Sequence, residues 1–205
     1  MKRSCNRKKF FEFLSAALVF LAAGTLAGQE PSGVPVFKIT PVESKVTFHV
    51  DASVAIEGTF DKWDASMVFT SPDATSGVLD IKINAASVDT GSGMKNSKLK
   101  SDDFFDVQKN PYITFKSTKV VQTSPTTFEL DGDFTIRGVT KQEKLVLTVT
   151  GKGTGHGTIT GTMAFDRKQY GMNSGIPFIK IANRVEVTVK LTATRISGPP
   201  VKTQQ

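Results

Sequence analysis

Phe128-Glu-Leu-Asp-Gly-Asp-Phe-Thr-Ile-Arg137 alternates in polarity. Phe128, Leu130, Phe134 and Ile136 fall on one side, and Glu129, Asp131, Asp133, Thr135 and Arg137 on the other. A period of two marks a strand with one face buried and one in water. The signal recurs upstream, where Val46, Phe48 and Val50 oppose Lys45, Thr47, His49 and Asp51, Leu79, Ile81 and Ile83 oppose Asp80, Lys82 and Asn84, and Ile113 and Phe115 oppose Thr114 and Lys116. Downstream, Leu145, Leu147 and Val149 oppose Lys144, Thr148 and Thr150, Ile159, Met163 and Phe165 oppose Thr158, Thr160 and Asp166, and Val185 to Leu191 alternate with Arg184 to Lys190. Many strands that are polar outside and apolar inside predict an all-β sandwich or closed barrel.

Turn chemistry divides the runs at Ser71-Pro72-Asp73, Ser124-Pro125, Asp131-Gly132 and the glycine-rich stretch Gly151 to Gly157, so the neighbours are expected to be antiparallel hairpins. Between Ser92 and Asp106 the alternation fails. A short helix is expected there, with Met94, Leu99 and Phe104 or Phe105 on one face, covering a barrel end or lying against the wall.

Both ends of the chain read differently. Lys2, Arg3, Arg7, Lys8 and Lys9 precede an apolar run from Phe13 to Ala23 and the small residues Thr25, Ala27 and Gly28. That is the pattern of a secretory signal peptide over residues 1–27, and its apolar run is too short for a stable anchor. Residues 28–35 read as a linker, 36–195 as one domain, and 196–205, with Pro199 and Pro200, as a disordered tail. The expected location is therefore the periplasm or the exterior. Without the signal, 21 basic residues face 18 acidic ones, so the +7 of the full chain falls to +3 and gives little footing for nucleic acid as a partner. The single cysteine, Cys5, lies inside the signal, which leaves no thiol for a disulfide, a metal site or a nucleophile.

Specific motifs go further than the pattern. Lys98-Leu-Lys-Ser-Asp-Asp-Phe-Phe-Asp106 and Asn110-Pro-Tyr-Ile-Thr-Phe-Lys-Ser117 resemble the central signature of the YceI-like family. Gly58-Thr-Phe-Asp-Lys-Trp63, Gly132-Asp-Phe-Thr-Ile-Arg-Gly-Val-Thr-Lys141 and Phe165-Asp-Arg-Lys-Gln-Tyr-Gly-Met172 resemble three further segments of it, in the expected order, and the likeness runs from Val36 to Arg195. The resemblance implies an extended lipocalin-like antiparallel barrel of about eight strands with one or two short helices. It also implies a usually periplasmic protein that carries a polyisoprenoid chain in its lumen and is not an enzyme. This sequence departs from the family at Ala52, where many members carry a histidine.

The interior of an eight-stranded barrel is either filled by side chains or holds one slender ligand. The inward positions expected to line it are Phe48, Val50, Phe60, Phe69, Ile81, Phe115, Phe134, Ile136, Leu147, Met163, Phe165 and Val187. Fifteen phenylalanines against two tyrosines and one tryptophan make a lumen with few polar handles, suited to a polyisoprenoid, an isoprenoid quinone or a fatty-acyl compound. Burying one CH₂ gains about 0.8 kcal/mol, so an isoprene unit of about five carbons gains roughly 3 to 4 kcal/mol gross before ordering costs. Arg167 continues the inward series Met163, Phe165. It either bonds a ligand head group or forms a salt bridge to Asp102, Asp103 or Asp106 that pins the helix to the barrel. Asp102 and Asp103 themselves read as acid and base, a weak cation site, or helix-end capping groups.

Only His49 and His156 exist, so a three-histidine metal site is excluded, and no serine-hydrolase elbow, P-loop or dinucleotide fingerprint is present. No cofactor is expected beyond a bound lipid. A transient membrane contact for loading, and the choice between monomer and homodimer, stay open. The alternative reading is a barrel with a filled core that acts through its outer surface as an envelope stress or adhesion protein.

Overall fold

Ile136 and Val139 face each other across the two-residue turn Arg137-Gly138, and both turn residues have positive φ, 54° and 72°. Such a mirror-image turn has a twist that matches its flanking strands, and Gly138 enters it without a Cβ penalty. Arg137 lacks that freedom and is held by side-chain bonds described below. The computed structural model describes residues 33–151, 154–175 and 180–204. The expected signal peptide and the first part of the linker lie outside them.

Eleven strands are found among the described residues, and they form eight staves. The first is β1 (Val36–Ile39) continued by β2 (Lys45–Ala52) past a 3-10 turn at Pro41–Glu43. The second is β3 (Ile56–Phe60) with β4 (Trp63–Phe69), and the third β5 (Gly77–Asn84) with the short β6 (Val88–Asp89). Next come β7 (Tyr112–Gln122), β8 (Thr127–Ile136), β9 (Val139–Thr150), β10 (His156–Asp166) and β11 (Ile181–Ser197). Each stave is antiparallel to the next, and β11 returns to the start by pairing with both β1 and β2. The molecule is thus a closed eight-stave antiparallel barrel of the lipocalin-like kind. Closure removes the exposed edges that an open sheet of this length would present.

The alternation fixes which face is inside. Along β8 every even-numbered position from Phe128 to Ile136 is buried, and Leu79, Ile81 and Ile83 on β5 are at most 7% exposed. Asp131-Gly132, expected as a turn, is instead the middle of β8, which runs through it unbroken. The glycine there marks a close approach. A Cβ on Gly132 would stand 2.6 Å from Cζ of Phe115, so the Phe115 ring rests on bare backbone. Opposite, β7 bulges between Ser117 and Lys119, and the buried Ser117 hydroxyl accepts the N–H of Leu79 at 2.9 Å.

The helix, α1 (Gly93–Lys100), starts at Ser92, whose hydroxyl accepts from the N–H of Lys95. Leu99, Phe104 and Phe105 are buried, whereas Met94, expected on the same face, is 83% exposed. An eight-residue helix that leads into turns offers only its last turn to the barrel, which leaves Met94 in water.

The chain termini also differ from expectation. Pro35, placed in the linker, is fully buried. The segment expected as a disordered tail crosses the open end of the barrel as a strap. Lys202 N–H donates to Pro72 O at 2.7 Å, Ala74 N–H donates to Lys202 O at 2.9 Å, and Gln204 exchanges two bonds with the Gln122 amide. Pro199 is buried and Val201 packs against the core. The two prolines bring no N–H needing a partner, and the apolar mouth supplies a reason for the strap to lie down.

Candidate ligand-binding lumen

Among the described residues, two chambers lie inside the barrel, one toward each end. The cap-end chamber, of about 70 Å³, lies beneath α1 and the turns after it. It is lined by Phe48, Val50, Phe60, Phe134, Ile136, Phe165 and Val187 of the expected set, together with Phe104, Phe105, Met172 and Arg167. The strap-end chamber, of about 160 Å³, is lined by Phe69 and Leu147 of that set, and by Phe37, Met67, Phe128, Leu130, Val201 and Thr203 among others.

Ile81, Phe115 and Met163, also expected on the lumen, line neither chamber. The strands show why. On β5, Leu79 faces the strap-end chamber and Ile83 the cap-end chamber, with Ile81 between. On β10, Ile159 and Phe165 bracket Met163, and on β11 Ala193 and Val187 bracket Leu191 and Val189. A waist of large side chains therefore separates the two spaces.

Aromatic contacts at the cap end form two groups. Phe48 to Phe60 is 5.7 Å between ring centroids, Phe60 to Phe105 is 6.0 Å, and Phe134 to Phe165 is 5.0 Å. Tyr170 meets Phe134 and Phe165 edge-on at 5.5 and 5.2 Å, the geometry that ring quadrupoles prefer. Tyr170 is fully buried, and its phenol donates to Oε1 of Glu143 at 2.7 Å. Burial, aided by that carboxylate, holds the phenol well above its ordinary range. The sequence reading missed this pair, although Glu143 has the inward parity of Leu145 and Leu147.

Arg167 is inward, as its parity suggests, and 6% exposed. It reaches neither Asp102, Asp103 nor Asp106. It is the first residue of a 3-10 turn (Arg167–Tyr170), and its guanidinium donates to three backbone carbonyls: Ala182 at 3.0 Å, Ser174 at 2.9 Å, and Met172. Burial disfavours its charge and lowers its pKa, with the Asp166 carboxylate acting in the opposite sense. Among the described residues no carboxylate lies within ion-pair distance of it.

The helix is pinned by Arg137 instead. Its guanidinium donates to the backbone carbonyl of Asp102 at 2.6 Å and to that of Gly171, so the hairpin turn at positive φ is braced from both sides. The Asp103 carboxylate accepts from Lys98 Nζ and from the Ser174 hydroxyl at 2.6 Å, and these bonds hold it below the usual carboxylate range. Asp102 and Asp103 thus serve the cap, the one through its carbonyl and the other through its side chain. At the other end, the Thr203 hydroxyl is buried with no partner and borders the strap-end chamber.

The model of the YceI-like domain matches residues 37–193. Curated relatives include UPF0312 proteins of Pseudomonas syringae pv. tomato, 34% identical over 98 residues, and of Pseudomonas aeruginosa, 33% identical over 96. The chain spans about half the length of these relatives, 51% and 50%. Among solved structures, Burkholderia cenocepacia BcnA superposes with a TM-score of 0.69 at 26% identity, covering 77% of this chain and all of that one. The Campylobacter jejuni YceI protein gives 0.58 at 24% over 69% and 86%, and a polyisoprenoid binding domain from Saccharophagus degradans gives 0.61 at 14% over 78% and 99%. The barrel, its motif order and the domain match agree, and the chain belongs to the YceI-like family.

Proposed function

We propose that the protein binds an apolar lipid of the polyisoprenoid, isoprenoid quinone or fatty-acyl class in the barrel lumen, and carries or stores it in the cell envelope after export. The observation that carries this reading is the composition of the two chambers. Apart from Arg167 at the cap end and a few groups at the strap end, their linings are hydrocarbon, in a protein with ample polar residues that it places outside. Pockets of that kind reward alkyl and prenyl chains and offer little to charged substrates. The likeness in fold to a polyisoprenoid binding domain points the same way. Binding in preference to catalysis is supported by the engagement of the buried Arg167 with backbone and of the buried Tyr170 with the half-buried Glu143.

One observation favours the alternative, an envelope stress or adhesion protein acting through its outer surface. Val36 stands opposite Val68, and Val68 opposite Val78, in an outward row 38, 60 and 36% exposed, with Ile196 at 61% nearby. Apolar rows of this kind mark contact surfaces.

Native mass spectrometry of the exported, processed protein, followed by solvent extraction, separates the readings. A single stoichiometric prenyl or acyl species is the expected result. A bare protein mass in repeated preparations would overturn the lipid reading in favour of the surface one.

A further inference from the structure

The barrel wall is not bonded along its whole height. β9 pairs with β8 from Val139 to Thr148, and β10 pairs with β11 as far as Asp166 opposite Arg184, yet β9 and β10 pair with each other only between Val146–Thr150 and Thr158–Thr162. Toward the cap that ladder stops. A groove lies over the open seam, bordered by Lys141 and Glu143 of β9, Phe165 and Asp166 of β10, and Asn183 and Arg184 of β11. Phe165 borders this groove and the cap-end chamber alike, so one residue separates the two. Tyr170 spans the gap in place of the missing ladder, bonded to Glu143 on β9 and packed edge-on against Phe165 on β10. Most charges of the groove are committed: Glu143 to that phenol, Asp166 to the N–H of Lys168 at 2.8 Å, and Arg184 to Glu186 at 3.1 Å. Lys141 is the exception. It has the inward parity of Glu143, is half-buried, and makes no hydrogen bond or ion pair among the described residues. A half-buried ammonium with its donors unspent is suited to an anionic acceptor.

Building on the lipid-binding reading, we infer that the open seam holds the polar end of the ligand: the groove takes an anionic oxygen head group, carboxylate or phosphate, against Lys141, and the tail passes Phe165 into the cap-end chamber. That chamber has no place for the charge itself. Its lining is hydrocarbon apart from Arg167, whose guanidinium is spent on three backbone carbonyls. In the groove the head keeps water on one side and gains a charge-assisted bond on the other, which avoids the cost of burying an anion. Side chains and not ladder hydrogen bonds hold β9 to β10 at this level, so a tail enters by moving rings and leaves the strands paired.

The test is displacement of the fluorescent probe N-phenylnaphthylamine from the exported, processed protein at neutral pH, by palmitate against hexadecanol and by geranylgeranyl phosphate against geranylgeraniol. Each pair shares a chain and differs in the head. Wild type is expected to bind at least one of the anions about tenfold more tightly than its alcohol, and Lys141→Gln to lose that preference with the Kd of the alcohol unchanged. The pair that shows the preference tells carboxylate from phosphate. Lys116→Gln, which removes a charge from the exposed face of β7, should keep it. Lys141 bonds to nothing in the protein, so its replacement breaks no contact that folding needs. The absence of a preference in wild type, its survival in Lys141→Gln, or its equal loss in Lys116→Gln overturns the seam site and leaves lipid binding intact. If none of these compounds displaces the probe, lipid binding itself fails.

Discussion

The phenol of Tyr170 donates to the Glu143 carboxylate from a position with no solvent exposure, between the rings of Phe134 and Phe165. The bond thus satisfies a fully buried phenol with a half-buried carboxylate. Tyr170→Phe keeps the ring contacts and strands the carboxylate, and should cost about 1 to 3 kcal/mol by denaturant titration. The pair also sets a pH dependence. The folded phenol's pKa is raised, so its contribution is complete below the unfolded value near 10 and drains away as the pH climbs above it. Wild type should lose stability above about pH 10 more steeply than Tyr170→Phe, and parallel melting curves would exclude this linkage.

Asp103 acts at the other end of the scale. Its pKa is depressed by Lys98 and Ser174, so its contribution is present above the unfolded value and lost as the pH falls below about 4. Asp103→Asn should lower the melting temperature at neutral pH and flatten its decline between about pH 5 and pH 3. An unaltered acid limb would show that the bonds to Lys98 and Ser174 do not hold the cap.

Arg167 holds the carbonyls of Met172, Ser174 and Ala182 together. Arg167→Met leaves three acceptors without a donor in a buried setting, at a cost of roughly 2 to 4 kcal/mol. Lysine should not restore it, because an ammonium on a flexible stem cannot reproduce the guanidinium's planar fork. If Arg167→Met melts like wild type while its co-purifying lipid changes, the guanidinium serves the ligand and not the loop.

The strap offers a substitution with the opposite sign. Thr203 buries a hydroxyl that has no partner, so Thr203→Val removes an unsatisfied group without changing side-chain shape. The gain should be about 1 kcal/mol, which is roughly 2 to 4 °C in a domain of this size. Deleting residues 198–205 should lower the melting temperature and raise the binding of a hydrophobic dye at the uncovered mouth. A loss of stability in Thr203→Val would mean that the hydroxyl is bonded in solution.

What could be read in advance was whatever repeats along the chain. The faces of β5, β8, β10 and β11 follow from parity, because each inward side chain is two residues from the next, and nine of the twelve positions expected on the lumen border a chamber. What could not be read depends on reach across the barrel. Parity puts Ile81, Phe115 and Met163 inside but does not say that they divide the interior. Asp131-Gly132 looks like a turn until Phe115 is seen to occupy the space that a side chain would take. The strap has no period at all, since its pairing with Pro72 and Gln122 joins segments distant in sequence. Arg167 is the cation expected to meet the cap aspartates, whereas Arg137 reads only as an outward strand residue, and it is the positive-φ turn that aims Arg137 at the cap.

The double engagement of β11 bears on how the molecule comes to exist. Its 17 residues bond to β10 along one edge and to β1 and β2 along the other, setting Val46 opposite Val189. Every other junction joins staves consecutive in sequence. This one has to wait for a search across the whole domain, and such distant pairings are slow. Until it is made, two strand edges stay unpaired and the inner face is wet, so assembly has a single late and decisive event. A proline in the middle of β11, which removes a ladder hydrogen bond from the closing strand, should both lower the melting temperature and raise aggregation during refolding.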